Sequence, residues 1–299
     1  MDNLNVELFG IKLKNPLMLA SGILGLSAPS LNLIAKDAGA VVTKSIGIKE
    51  RRGYINPTVI NWRCGLINAI GLSSPSAEDF LKELNKFTRK APIFASIYGY
   101  EVDEYIEIVG ILENSVNGFE INLSCPHVKS LGFEIGSDPK LSYKIIKNLK
   151  KETDKPLLPK ISVMHDYINL AKELERAGAD AIVISNTIPG MKIDILSQRP
   201  ILKNISGGVS GFAIKPIVLK SVFDLYKILD IPIIGCGGIS TFEDVLEYIL
   251  AGATAVQIGS SIFYSTNMFY SIKESLIAYL RKQNCKIMDL IGMAHNSTG

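Results

Sequence analysis

Short apolar runs alternate with longer amphipathic stretches along the whole chain. The runs are Leu17–Ala20, Ala40–Thr43, Ile93–Ile97, Phe119–Leu123, Leu157–Ile161, Ala181–Ser185, Ile231–Cys236 and Ala255–Ile258. Most are apolar at nearly every position, the pattern of parallel strands buried on both faces. The stretches between them read as helices. Ala77–Arg89 opens at Ser76, Asp138–Lys151 opens on Asp-Pro, Asp166–Ala177 stops at Gly178, and Thr241–Ala251 stops at Gly252. Each boundary has a cap residue suited to its end. The step from helix through glycine into strand recurs at Asp37-Ala38-Gly39-Ala40, Ala177-Gly178-Ala179-Asp180 and Ala251-Gly252-Ala253-Thr254. That recurrence indicates one repeated βα unit.

Eight such beats predict an α/β chain folded as a (β/α)8 TIM barrel, one domain over residues 1–299. An open doubly wound sheet is the alternative. Asn5–Leu13 reads as a small N-terminal hairpin closing the barrel bottom. Two long loops follow strands 2 and 6, Ser45–Ser76 and Asn186–Ser210, both rich in turn formers. Loops of that length are usually lids or binding loops. Both leave the C-terminal end of the barrel, where active sites of this architecture are built.

Charge changes the picture little: a net +3 from 32 basic and 29 acidic residues, without a basic block, gives no footprint for nucleic acid. No run is long and apolar enough to span a membrane. The start Met1-Asp2-Asn3-Leu4 lacks the features of a secretory leader. The four cysteines include no Cys-x-x-Cys pair, so no metal or cluster site is expected in this chain. These features predict a cytoplasmic protein.

Candidate chemistry gathers at the strand ends. Cys125 follows strand 4 in Asn122-Leu123-Ser124-Cys125-Pro126-His127. It is either an acid–base group at the barrel mouth or a small buried hydrophobe. His127 is a substrate contact, a second proton-transfer group or a loop cap. Cys64 and Cys236 read as packing residues. Gly207-Gly208-Val209-Ser210-Gly211, Gly235-Cys236-Gly237-Gly238 and Gly259-Ser260-Ser261 resemble a phosphate grip, since glycines let backbone amides approach an anion; the alternative is tight turns alone. Lys44 and Lys160 end apolar strands, and each serves either an anionic ligand or a salt bridge. Asn68, Asn122 and Asn186 suit a planar, hydrogen-bonding ligand such as a pyrimidine, or are turn residues.

Together the segments Ala20-Ser21-Gly22, Thr43-Lys44-Ser45, Asn68-Ala69-Ile70-Gly71-Leu72, Asn122-Leu123-Ser124-Cys125-Pro126, Ser185-Asn186-Thr187, Gln198-Arg199-Pro200-Ile201-Leu202, Gly207–Gly211 with Ile214-Lys215-Pro216, and Gly237-Gly238 resemble the dihydroorotate dehydrogenases, specifically the class 1B catalytic subunit. The resemblance runs from about residue 5 to 265. It implies an FMN-containing barrel that oxidises (S)-dihydroorotate to orotate in pyrimidine biosynthesis. Cys125 would take the C5 proton, and hydride would pass from C6 to FMN N5. The substrate would be held by Lys44, Asn68, Ala69, Ile70, Gly71, Leu72, Asn122, His127, Asn186 and Thr187. FMN would be lined by Ser21, Lys44, Ser45, Asn122, Lys160 and Ser185, with its phosphate at Gly211, Gly237, Gly238, Gly259 and Ser260. The class also implies a homodimer that joins a subunit carrying FAD and a [2Fe–2S] cluster into a heterotetramer, with electrons passed to NAD. The chain departs from the family pattern at His127, at Ser73-Ser74-Pro75-Ser76 and at Ser96. Its Ser-Cys-Pro-His form also resembles the pyrimidine-reducing domain of dihydropyrimidine dehydrogenase, which makes a dihydropyrimidine or uracil-type flavin oxidoreductase the alternative.

Overall fold

The computed structural model of the chain describes residues 2–88, 90–123 and 138–296. Eight parallel strands close into a barrel in sequence order. They are β1 (Leu17–Leu19), β2 (Ala40–Val42), β3 (Ile93–Ile97), β4 (Gly118–Asn122), β5 (Leu157–Ile161), β6 (Ile182–Ile184), β7 (Ile233–Cys236) and β8 (Ala255–Ile258). The expected TIM barrel is therefore the observed fold. A helix follows each strand: α1 (Ala28–Ala35), α2 (Ala77–Leu84), α3 (Val102–Leu112), α4 (Pro139–Glu152), α5 (Tyr167–Ala177), α6 (Lys215–Tyr226), α7 (Phe242–Leu250) and α8 (Met268–Gln283). The core lies between this helical ring and the barrel and continues into the barrel interior.

Local chemistry sets the helix ends. Asp138 accepts from the amides of Lys140 and Leu141 at the start of α4. Thr241 and Asp244 form a reciprocal capping box on α7. α5 ends at Gly178 with φ 99°, a conformation glycine adopts without strain. Helix α2 is shorter than the sequence pattern, which ran to Arg89. Asn32 on α1 accepts from both the amide and the hydroxyl of Thr88, at 2.9 and 2.7 Å, and draws the chain off the helical path. Arg89 itself lies outside the described residues.

The N-terminal hairpin pairs Val6–Leu8 with Ile11–Leu13 through Phe9 and Gly10, both at positive φ. Phe9 packs edge-on against Phe94 in β3, which closes the barrel bottom. At the opposite end the two long loops do not remain irregular. Val59–Trp62 and Gly65–Asn68 from the first join Ile188–Gly190 and Gly207–Ser210 from the second in a four-stranded antiparallel sheet. A Cβ on Gly65 would stand 2.0 Å from the Ser210 carbonyl oxygen, so the two loops meet backbone to backbone there. Ile67, Ala69 and Leu202 give this sheet a small core of its own.

Candidate active site

The barrel mouth, roofed by the antiparallel sheet, holds a cavity of about 420 Å³. That is within the range of small-molecule and cofactor sites. Its wall includes Ser21, Lys44 and Ser45 from the ends of β1 and β2, Asn122 from β4, Lys160 from β5, and Ser185, Asn186 and Thr187 after β6. Gly211, Gly237, Gly238, Gly259 and Ser260 line one side, and Asn68, Ile70, Gly71 and Leu72 come from the first long loop. Ala69 does not reach the wall; it packs into the small core of the roof. Cys125 and His127, with the rest of 124–137, lie outside the described residues.

A chain of short polar contacts crosses the mouth from β1 to β4. Ser45 Oγ lies 3.2 Å from Ser21 Oγ and 2.9 Å from Ser96 Oγ, and accepts from Asn122 Nδ2 at 3.1 Å. Ser96, in β3, is fully buried. Its hydroxyl is thus part of the network that orients Asn122, although the sequence marked it only as a departure from the family pattern. Asn68 donates through Nδ2 to the Gly208 carbonyl at 3.2 Å, which ties the two loops of the roof together.

The glycine turns pack tightly. A Cβ on Gly237 would meet Val218 Cγ2 at 2.9 Å. On Gly238, at φ +69°, it would meet the Gly211 carbonyl oxygen at 2.8 Å. The wall at these positions is therefore bare backbone, which suits an anion.

Lys160 is 5% exposed and sits opposite Glu120 and Gln257, at 0% and 1%. Its ammonium donates to Gln257 Oε1 at 2.7 Å, Gln257 Nε2 donates to Glu120 Oε2 at 2.6 Å, and Glu120 Oε1 lies 3.8 Å from Nζ. Burial alone would lower the Lys160 pKa; the Cys236 sulfur and the Glu120 carboxylate together outweigh it and hold the value above that of an ordinary lysine. Burial pushes the Cys236 thiol up against the pull of Lys160. Of the two sequence alternatives for Lys160, the salt bridge is formed, and that ion pair is part of the cavity wall. Sequence reasoning missed Glu120 and Gln257 and read Cys236 as packing, yet all three line the cavity. The available signal was a polar residue inside an otherwise apolar strand, Glu120 in β4 and Gln257 in β8.

Among the described residues there is no cluster of metal-ligating side chains, and no helix is long and apolar enough to cross a membrane.

The sequence profile of the family described as dihydroorotate dehydrogenase matches residues 3–280. The chain is 59% identical to the catalytic subunit of dihydroorotate dehydrogenase B (NAD(+)) of Archaeoglobus fulgidus, over 99% of this chain and 100% of that one. Proteins of the same description from Pyrococcus furiosus and Methanocaldococcus jannaschii are 45% and 42% identical, each over 98% of this chain and over 99% and 98% of their own lengths. In fold it is similar to a crystal structure of DHODH from Eimeria tenella in complex with ferulenol, with a TM-score of 0.84 and 23% identity over 99% of this chain and 89% of that one. With a matching profile across nearly its whole length and full-length relatives described as type B catalytic subunits, the chain belongs to the dihydroorotate dehydrogenase family.

Proposed function

We propose that this chain oxidises (S)-dihydroorotate to orotate in de novo pyrimidine synthesis, with FMN bound in the barrel mouth. The observation that carries the reading is the pairing of a buried, charged Lys160 with bare glycine turns in one cavity. Those features fit FMN. The turns at Gly211, Gly237, Gly238, Gly259 and Ser260 offer backbone to a phosphate, and any Cβ at Gly237 or Gly238 would crowd its neighbours. Ser21, Ser45, Asn122 and Ser185 offer hydrogen bonds around a planar ring, and Lys160 offers a positive charge to its electron-rich edge. When bound, FMN supplies the hydride acceptor.

The chain's own residues do the rest. Lys44, Asn122, Asn186 and Thr187 from the strand ends and the segment from Asn68 to Leu72 would hold the pyrimidine ring and its carboxylate, with His127 as a further contact. Cys125 would act as base on the C5 proton. A thiol is mostly protonated at neutral pH, so this role requires local activation. The roof sheet covers the mouth and limits water at the reacting carbons. The NAD(+) and "catalytic subunit" in the relatives' names support electron exit through a partner subunit to NAD. We extend that to a homodimer joined to an iron–sulfur and FAD subunit in a heterotetramer.

The test is an anaerobic visible spectrum of the purified chain before and after L-dihydroorotate, with dihydrouracil in parallel. The expected result is a flavin band bleached by dihydroorotate and not by dihydrouracil. Bleaching by dihydrouracil alone would overturn the substrate, and failure to bind FMN on reconstitution would overturn the cofactor. Cys125→Ser is expected to keep the flavin band and lose most turnover; unchanged turnover would remove Cys125 as the base.

A further inference from the structure

Strand β5 is buried at all five positions, and Lys160 is its fourth residue. An isolated ammonium in such a setting is driven toward its neutral form. Two strands supply what prevents this. Glu120 comes from the neighbouring β4, and Gln257 reaches in from β8 across the barrel interior. The geometry of Gln257 admits one amide orientation. Its Oε1 lies 2.7 Å from an ammonium that can only donate, and its Nε2 lies 2.6 Å from a carboxylate oxygen that can only accept. Turning the amide over would set donor against donor and acceptor against acceptor. Among the described residues no hydrogen-bond donor meets Glu120 Oε1, which faces Lys160 Nζ at 3.8 Å, so its charge is directed at the ammonium.

Among the described residues, the other titratable groups near Lys160 are Cys236 on β7, which also holds the Lys160 pKa up, and, on the same cavity wall, Lys44 after β2. Of the groups around Lys160, Glu120 is the carboxylate, directed at the ammonium from 3.8 Å.

We propose that Glu120 and Gln257 are positioning residues: the carboxylate fixes the Gln257 amide, and the pair holds the Lys160 ammonium charged and in one place in the cavity wall. The inference deepens the flavin reading and rests on it only for the identity of the ligand that Lys160 meets. Its structural content belongs to the protein alone.

The test uses flavin-free protein labelled with 13C at the lysine Cε, with the Lys160 resonance assigned by its loss in Lys160→Gln. In the wild type the resonance is expected to keep its protonated position up to the ordinary lysine value of 10.5. In Glu120→Gln the midpoint is expected below the wild-type one. Gln257→Met, which removes the bridging amide and keeps the carboxylate, is expected to move it the same way by less. Glu120→Asp should restore part of the wild-type curve, which a role in packing alone would not produce. A wild-type midpoint below 10.5, or variants that titrate as the wild type does, would overturn the proposal. If Glu120→Gln does not fold, Gln257→Met decides alone. Since no flavin is present, a protein that failed to bind FMN would undo the cofactor reading and leave this result intact.

Discussion

Gly238→Ala tests the glycine turn after β7 as a phosphate cradle. Gly238 has φ +69°, and a Cβ there would lie 2.8 Å from both the Gly211 carbonyl oxygen and Lys215 Cβ, and 3.1 Å from Phe212 Cα. A non-glycine residue in the left-handed region costs about 1–2 kcal/mol. Crowding against backbone adds roughly 1–3 kcal/mol, because backbone moves less easily than a side-chain tip. Relief requires the turn after β7 to move away from Gly211, the two segments proposed to grip one phosphate. If about 2 kcal/mol of the strain falls on the flavin-bound state, FMN affinity weakens roughly 30-fold. The assay is quenching of flavin fluorescence on titration into flavin-free protein, with thermal unfolding recorded separately. Gly110→Ala is the control. Gly110 is an exposed residue of α3 with nothing within 4 Å of the added Cβ, so the change should stabilise the helix by roughly 0.5–1 kcal/mol and leave affinity untouched. Wild-type affinity in Gly238→Ala would refute the assignment of this turn to the phosphate.

Three further outcomes are expected. Asp244 accepts from Lys215 Nζ at 2.6 Å and from the amides of Ser240 and Thr241, and despite burial these hold its carboxyl below the ordinary 3.8. Its contribution is therefore present above pH 3.8 and lost as pH falls through the lower folded value, so the stability gap between wild type and Asp244→Asn in urea should be constant from neutral pH down to about 4 and close below it. Phe94→Ala empties a fully buried site beneath the N-terminal hairpin and should cost about 3–5 kcal/mol in urea unfolding; a loss under 1 kcal/mol would contradict the packing. Asn15→Ala leaves the Leu17 amide and the Asp37 carbonyl without their side-chain partner, and should cost about 2 kcal/mol or more by the same measurement.

The barrel was legible in the sequence because its determinants are local or repeated. A strand buried on both faces must be apolar throughout, and the runs at Ile93–Ile97, Leu157–Ile161 and Ala255–Ile258 kept their limits in the structure. Caps at Ser76, Asp138, Asp166 and Thr241 act within three residues, so they could be read without the fold. Residues that end strands, such as Lys44, Asn122 and Lys160, were legible for the same reason: strand position alone places them at the mouth.

What tertiary structure decided lies wherever a residue's meaning depends on a distant partner. The roof sheet joins Leu66, Ile67 and Asn68 to Ser210, Val209 and Gly208, and no local alternation of apolar and polar positions announces strands that short and glycine-rich. Ser96 gained its place through Ser45 on another strand end. Glu120 and Gln257 are single polar residues in apolar strands, 137 positions apart, and their link to Lys160 exists only because barrel closure turns them toward one interior. Sequence by itself determined the repeating unit and the end of the barrel at which the cavity lies. Closure of the barrel decided which side chains share a cavity and which charge is balanced by which, since both depend on distances through space that spacing along the chain does not encode.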